Sequence, residues 1–194
     1  MIDTPITDKE IAILNATLDL VAERGFHGTP MSQVAKRSKV SAGIIYHYFE
    51  NKDALMQALY LRIKTQFAAA LLVDAPDKML FPHNVVQLWH NAYRFYTQNP
   101  RETQYIEQFE NSPYKDYWDE ETMLSQDENM QRVAGIIGAE VAAGNVREMP
   151  PMVLYALTMG VALSLAKRHI TGTLVLNDDD LNSVAHACLR AINV

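Results

Sequence analysis

The chain has 194 residues, 48% of them apolar and 21% charged, so it can bury a sizeable core and wholesale disorder is excluded. Its net charge of −6 argues against a general nucleic-acid coat, and the lone Cys188 excludes an internal disulfide and fits a reducing cytoplasm. No apolar run follows a basic start, which predicts no signal peptide.

In chain order, apolar residues recur at the helical period, with no convincing alternating strand among them. A first helix is expected from about Thr7 to Arg24, with Ile13, Ala16, Thr17, Leu20 and Val21 on one face and a stop at Gly25. Thr29 as N-cap and Pro30 at the first turn predict a short helix reaching about Ser38. Ser41 caps the next one. A long helix follows over about 51–73, with Leu55, Leu59, Ile63, Phe67 and Leu71 at four-residue spacing. Further helices are expected at about 82–98, 100–111, 121–143, 151–171 and 178–192, about nine in all. From Met149 to Ala166 no charge appears, but Pro150 and Pro151 open the run. The helical remainder is short for a bilayer, so a buried helix is expected and not a membrane span.

The charge is unevenly spread. Residues 1–52 carry six basic and six acidic side chains, so the whole acidic excess lies in 53–194. Within 27–52 four basic residues oppose one acidic. A locally basic head on an acidic body restricts where DNA can dock.

Two short helices joined by Lys39-Val40, with a third before them, form a helix-turn-helix plan whose second short helix enters the major groove N-terminus first. Ser41 satisfies exposed N–H groups there, and the helix dipole favours phosphate. Ala42 and Gly43 leave little bulk, so backbone can come close to DNA; Gly43 otherwise costs about 1 kcal/mol relative to alanine. Ile45 and Phe49, four apart, face the core, leaving Ile44, Tyr46, His47 and Tyr48 for the other faces. Tyrosine hydroxyls and a histidine can bond phosphate oxygens, Ile44 can touch a thymine methyl, and Lys52 can pair with a phosphate. Because Tyr46, His47 and Tyr48 are consecutive, no helix face can bury all three.

Thr29, Val34-Ala35, Val40-Ser41, Gly43, Ile45-Tyr46, Tyr48-Phe49, Lys52 and Leu55 stand at spacings that resemble the TetR family of bacterial transcription regulators. The end of the first helix, Ala22-Glu23-Arg24-Gly25-Phe26, is similar too, and the close resemblance covers about residues 10–60. It implies DNA contact by Thr29, Ser41, Gly43, Tyr46, Tyr48 and Lys52, and base readout near Ala42, Ile44 and His47. Lys39 departs from the family pattern, which has glycine in the turn. A lysine held there at positive φ would store roughly 1 kcal/mol of strain.

Beyond the head, Tyr and Trp concentrate between residues 89 and 118. One reading is an ordinary aromatic core; the other is an effector cavity, which the resemblance implies and for which Trp89, Tyr93, Tyr105 and Phe109 are the preferred lining. The 151–171 helix is apolar on nearly every side and so needs cover on both faces. With the last helix it predicts a two-fold interface through Leu157, Val161, Leu165, Leu181, Val184 and Cys188. Asp178, Asp179 and Asp180 read as a helix start and not as a metal site. No nucleophile, phosphate loop or metal motif accompanies the carboxylates, so neither an enzyme nor a cofactor is expected.

The expected architecture is therefore all-α, with a helix-turn-helix DNA-binding domain over 7–66 and an effector-binding and dimerisation domain over 67–194. The expected molecule is a cytoplasmic homodimeric repressor, released from a palindromic operator in double-stranded DNA by a small-molecule effector of unknown identity. A tilt of the 51–73 helix would change the separation of the two heads. Two alternatives stay open: an activator with the same grip on DNA, and a helical ligand-binding or interaction protein that does not bind DNA.

Overall fold

The computed structural model describes residues 7–114 and 127–194, among which helices are the only extended regular structure; one isolated antiparallel bridge joins Val146 and Asn193. The chain divides into two compact units. One takes in the described residues within Met1–Ile63 and Gln104–Glu120, the other those within Lys64–Thr103 and Glu121–Val194.

In the first unit, α1 (Asp8–Arg24) begins where Thr7 Oγ1 accepts the Glu10 N–H at 3.2 Å. It buries the expected stripe of Ile13, Ala16, Thr17, Leu20 and Val21 and ends at Gly25, whose φ of +69° suits a residue without Cβ. The next helix, α2 (Met31–Ser38), corrects one expectation. Thr29 is not its cap: that position is Pro30, and the Thr29 hydroxyl points back to donate to the Gly25 carbonyl at 2.9 Å. The turn at Gly25 leaves that carbonyl without a helical partner, and Thr29, fully buried, supplies one. Lys39 closes α2 in the left-handed region at φ 60°, ψ 29°. Lys39→Gly is therefore expected to raise stability by about 1 kcal/mol and the melting temperature by about 2–4 °C. An unchanged or lower melting temperature would show that the turn holds no such strain.

Ser41 then caps α3 (Ala42–Tyr48), its Oγ accepting the Ile44 N–H at 3.3 Å. Ile45 and Phe49 drop into the core as the four-residue spacing requires. The long helix α4 (Lys52–Leu71) follows, with Asn51 Oδ1 accepting the Ala54 N–H at 2.8 Å. Leu55, Leu59 and Ile63 are buried in this first unit, while α4 continues into the second, where Phe67 and Leu71 are buried.

The first unit is completed by a segment distant in sequence. From Gln104 onward, α6 (Pro100–Glu110) packs Tyr105 and Phe109 against Phe26, with ring centroids 5.4 and 6.5 Å away. Phe109 also stacks on Tyr60 at 4.1 Å, and the Tyr105 hydroxyl donates to the Met56 carbonyl at 2.7 Å. Burial holds the Tyr105 phenol well above its ordinary pKa of 10.0, with Tyr114 adding to the effect. A neutral form favoured by folding gives stability that is complete below pH 10.0 and is lost as pH rises above it. Tyr105→Phe should flatten that alkaline loss in urea titrations at several pH values; an unaltered slope would place the titrating group elsewhere.

The second unit is organised around α5 (His83–Gln98), whose Val85, Leu88, Trp89, Ala92, Tyr93, Phe95 and Tyr96 are buried. Phe67 stacks on Tyr96 at 5.0 Å, and Asn91 Nδ2 donates to the carbonyls of Leu71, the last residue of α4, and Val73, in the turn after it. α7 (Glu128–Ala142) starts at Asp127, whose carboxylate accepts the Met130 N–H at 2.9 Å. The expected single helix over 151–171 is in fact two, α8 (Pro151–Leu157) and α9 (Met159–Ile170), separated at Thr158 with φ −122° and ψ −85°. Gly160 permits this close turn: a Cβ there would stand 3.3 Å from the Tyr155 carbonyl. The last helix, α10 (Asp178–Ile192), is capped by Asn177 in a reciprocal box with Asp180, which accounts for part of the acidic triplet. No described helix is long and apolar enough to cross a membrane.

Candidate nucleic-acid interface and ligand cavity

On α3 the structure brings most of the expected DNA-facing residues together on one exposed surface. Ser41, Ala42, Gly43 and His47 are exposed, and Tyr46 is 53% exposed despite its size. Ile44 and Tyr48 are half-buried. The Tyr48 hydroxyl accepts from Thr7 Oγ1 at 2.8 Å, which steadies the ring, and His47 meets that ring edge-on at 5.4 Å. The hydroxyl keeps its own proton for a further acceptor.

Two expected contacts stand differently. Thr29 is buried with its hydroxyl engaged by Gly25, so it supports the start of α2 from inside. Lys52 Nζ donates to the Phe26 carbonyl at 2.7 Å, and burial lowers its pKa. It ties α4 to the end of α1 while keeping two N–H groups for another acceptor. Of the other basic residues in 27–52, Arg37 forms a two-pronged pair with Glu23 at 2.7 and 2.8 Å. That pairing raises its pKa. Lys36 and Lys39 are exposed and make no ion pair with the described residues. Neither lysine is among the expected DNA contacts, although both lie in the basic stretch over 27–52.

The second unit holds a cavity of about 480 Å³, within the range of ligand pockets. Of the four expected lining residues only Trp89 is on its wall. Tyr93 is buried beside it, stacked at 5.8 Å, but its hydroxyl meets His169 Nδ1 at 3.1 Å. Tyr105 and Phe109 belong to the first unit, where the packing described above consumes their faces. The wall is mostly aliphatic instead. α7 contributes Met130, Val133, Ile137 and Val141, and α8 contributes Leu154 and Tyr155. The three- and four-residue spacing on α7 was a readable signal, but aromatic clustering drew attention away from it.

Among the six expected interface residues, Cys188 is turned inward, buried on the cavity wall with its thiol pKa raised by burial. Its sulfur lies by the Trp89 indole, whose N–H finds no partner of hydrogen-bond geometry. Leu157 packs on the Val85, Val146, Leu189 and Ile192 cluster. Val161, Leu165, Leu181 and Val184 stay half-buried within the single chain. No group of three metal-ligating side chains occurs among the described residues.

Comparison with known proteins agrees with the all-helical fold. Residues 13–59 match the family model "Bacterial regulatory proteins, tetR family", and residues 83–193 match "Tetracyclin repressor-like, C-terminal domain". An uncharacterised HTH-type transcriptional regulator of Haemophilus influenzae is 30% identical over 96% of both chains. A solved TetR-family regulator from the same species superposes with a TM-score of 0.79 at 28% identity, covering 96% of this chain and 97% of that one. One from Marinobacter aquaeolei reaches a TM-score of 0.82 at 22% identity, covering 95% of each, and shows the shared fold.

Proposed function

This chain belongs to the TetR family of bacterial transcriptional regulators, and on that ground we propose that it is a cytoplasmic homodimeric repressor, released from a palindromic operator by a small-molecule effector. The observation that carries the DNA-binding part is the exposed surface of α3, where Ser41, Ala42, Gly43, Tyr46 and His47 lie together. Large aromatic side chains outside a core have a use against phosphate and base edges. Lys36 and Lys39 add positive charge nearby in sequence, within a head that is less acidic than the rest of the chain.

The cavity in the second unit supports the effector part of the proposal. α4 provides the means of transmission, since Phe67 and Leu71 wall the cavity while Leu55 and Leu59 of the same helix hold the head core. The half-buried apolar residues Val161, Leu165, Leu181 and Val184 support the dimer, because helices left with such faces gain by covering them.

Fluorescence-anisotropy titration against DNA from upstream of the protein's own gene tests the reading. Tight binding that weakens linearly on a logarithmic salt scale is expected. Equal, weak binding to that DNA and to unrelated fragments would refute operator recognition. Loss of transcription from that promoter on adding the protein distinguishes a repressor from an activator.

A further inference from the structure

Tyr48 is the last residue of α3, and the chain beyond it passes into extended backbone at Phe49. Its phenol oxygen accepts the Thr7 hydroxyl proton at 2.8 Å across 41 residues of sequence, and no other hydrogen bond to it occurs among the described residues. The Thr7 oxygen is itself held in place, because it accepts the Glu10 N–H at 3.2 Å as the cap of α1. A threonine hydroxyl has one proton, and here Tyr48 receives it. The relay therefore runs in one direction, from the Glu10 N–H through Thr7 to Tyr48. It ends on the phenol O–H, which remains an unspent donor in a half-buried residue still open to an outside acceptor.

That direction decides what the phenol can meet. A phosphate oxygen only accepts, so a tyrosine reaches it only by donating. Were Tyr48 to give its proton to Thr7, it would turn lone pairs outward and repel the same phosphate. From this we infer that Thr7 is a positioning residue for DNA binding, acting through Tyr48 by setting the phenol to donate its proton to a backbone phosphate. Hydrogen bonds in such a chain polarise one another, and one to a charged acceptor is among the strong ones. The inference rests on the proposal that α3 faces DNA.

Fluorescence anisotropy provides the test, with native protein, Thr7→Val, Tyr48→Phe and the double variant. Each is titrated with DNA from upstream of the protein's own gene and with an unrelated duplex at low salt. Both duplexes present the same backbone, so equal losses are expected on each. Tyr48→Phe should weaken binding by about tenfold to a hundredfold, as for a hydrogen bond to a charged group. Thr7→Val should weaken it by about threefold to tenfold, and Thr7→Ser, which keeps the hydroxyl, by less than about twofold. In the Tyr48→Phe background, Thr7→Val should change affinity by no more than roughly twofold. Loss of the α1 cap lowers the melting temperature in both backgrounds and so cancels in this comparison. Neither residue is charged, and the salt dependence of binding should stay as in the native protein.

Thr7 is exposed, so valine there leaves the core untouched; should that variant fold poorly, Thr7→Ala removes the same hydroxyl with less bulk. A loss from Thr7→Val that persists undiminished in Tyr48→Phe would show a merely structural role and overturn the inference. Full affinity in Thr7→Val, or failure of Thr7→Ser to retain it, would overturn it equally. A native protein that binds neither duplex refutes the DNA-binding proposal and this inference with it. Binding to both without coupling between Thr7 and Tyr48 refutes the inference alone.

Discussion

Phe109→Ala is expected to destabilise the protein by about 3–5 kcal/mol, a fall in melting temperature of ~10 °C or more. Phe109 is fully buried, stacked on Tyr60 at 4.1 Å and set edge-on to Phe26. Its removal leaves a hole bounded by aromatic rings, which cannot collapse as readily as flexible aliphatic chains. The loss should appear in operator affinity as well, because Phe26 follows α1 and its carbonyl anchors Lys52. A residue on a cavity wall would behave otherwise: truncation would enlarge an existing space, cost less, and change ligand affinity first. A thermal shift below about 1 kcal/mol, measured by calorimetry, would contradict the packing assigned to Phe109.

Gly43→Ala should move stability and DNA binding in opposite directions. A Cβ at Gly43 would meet only the Ser41 Oγ at 4.0 Å, so the fold itself leaves room for it. Alanine in place of glycine in a helix gains up to about 1 kcal/mol, and the melting temperature should rise accordingly. If the α3 backbone approaches DNA at this point, the added methyl should weaken operator binding by about tenfold, or ~1.4 kcal/mol. Thermal melts and anisotropy titrations on the same preparation read both quantities. Unchanged affinity in a stabilised variant would mean that Gly43 does not mark a close approach.

The head was legible because its signals are local. Ser41 three residues before Ile44, and leucines four apart along α4, specify caps and faces from nearest neighbours alone. Thr29 shows where this ends. A hydroxyl after a glycine stop can cap the next helix or turn back to the abandoned carbonyl, and only the path of the chain through Gly25 decides. The break at Thr158 was hidden for another reason. A stretch apolar on nearly every side has no phase, so a change of direction leaves no trace in its pattern.

The cavity was the least legible part. Trp89, Tyr93, Tyr105 and Phe109 form one cluster in sequence, yet they are divided between the units within α6, between Thr103 and Gln104. Periodicity describes which face of a helix is apolar but not which neighbour covers it. The α7 stripe carried equivalent information in less conspicuous side chains. Whether such a stripe meets a core or a space depends on the volumes opposite it, and these come from five other helices.

The contribution of Gln104–Tyr114 to the first unit bears on fragment design. A piece cut at residue 66 would leave Phe26, Tyr60 and Met56 facing water where Phe109 and Tyr105 now lie. Such a piece should aggregate or melt early, however complete its helix-turn-helix looks on paper. Chimeras that exchange DNA specificity between relatives face the same constraint. A transplanted reading head must travel as two strips of sequence, or the recipient's α6 must already fit its aromatic floor.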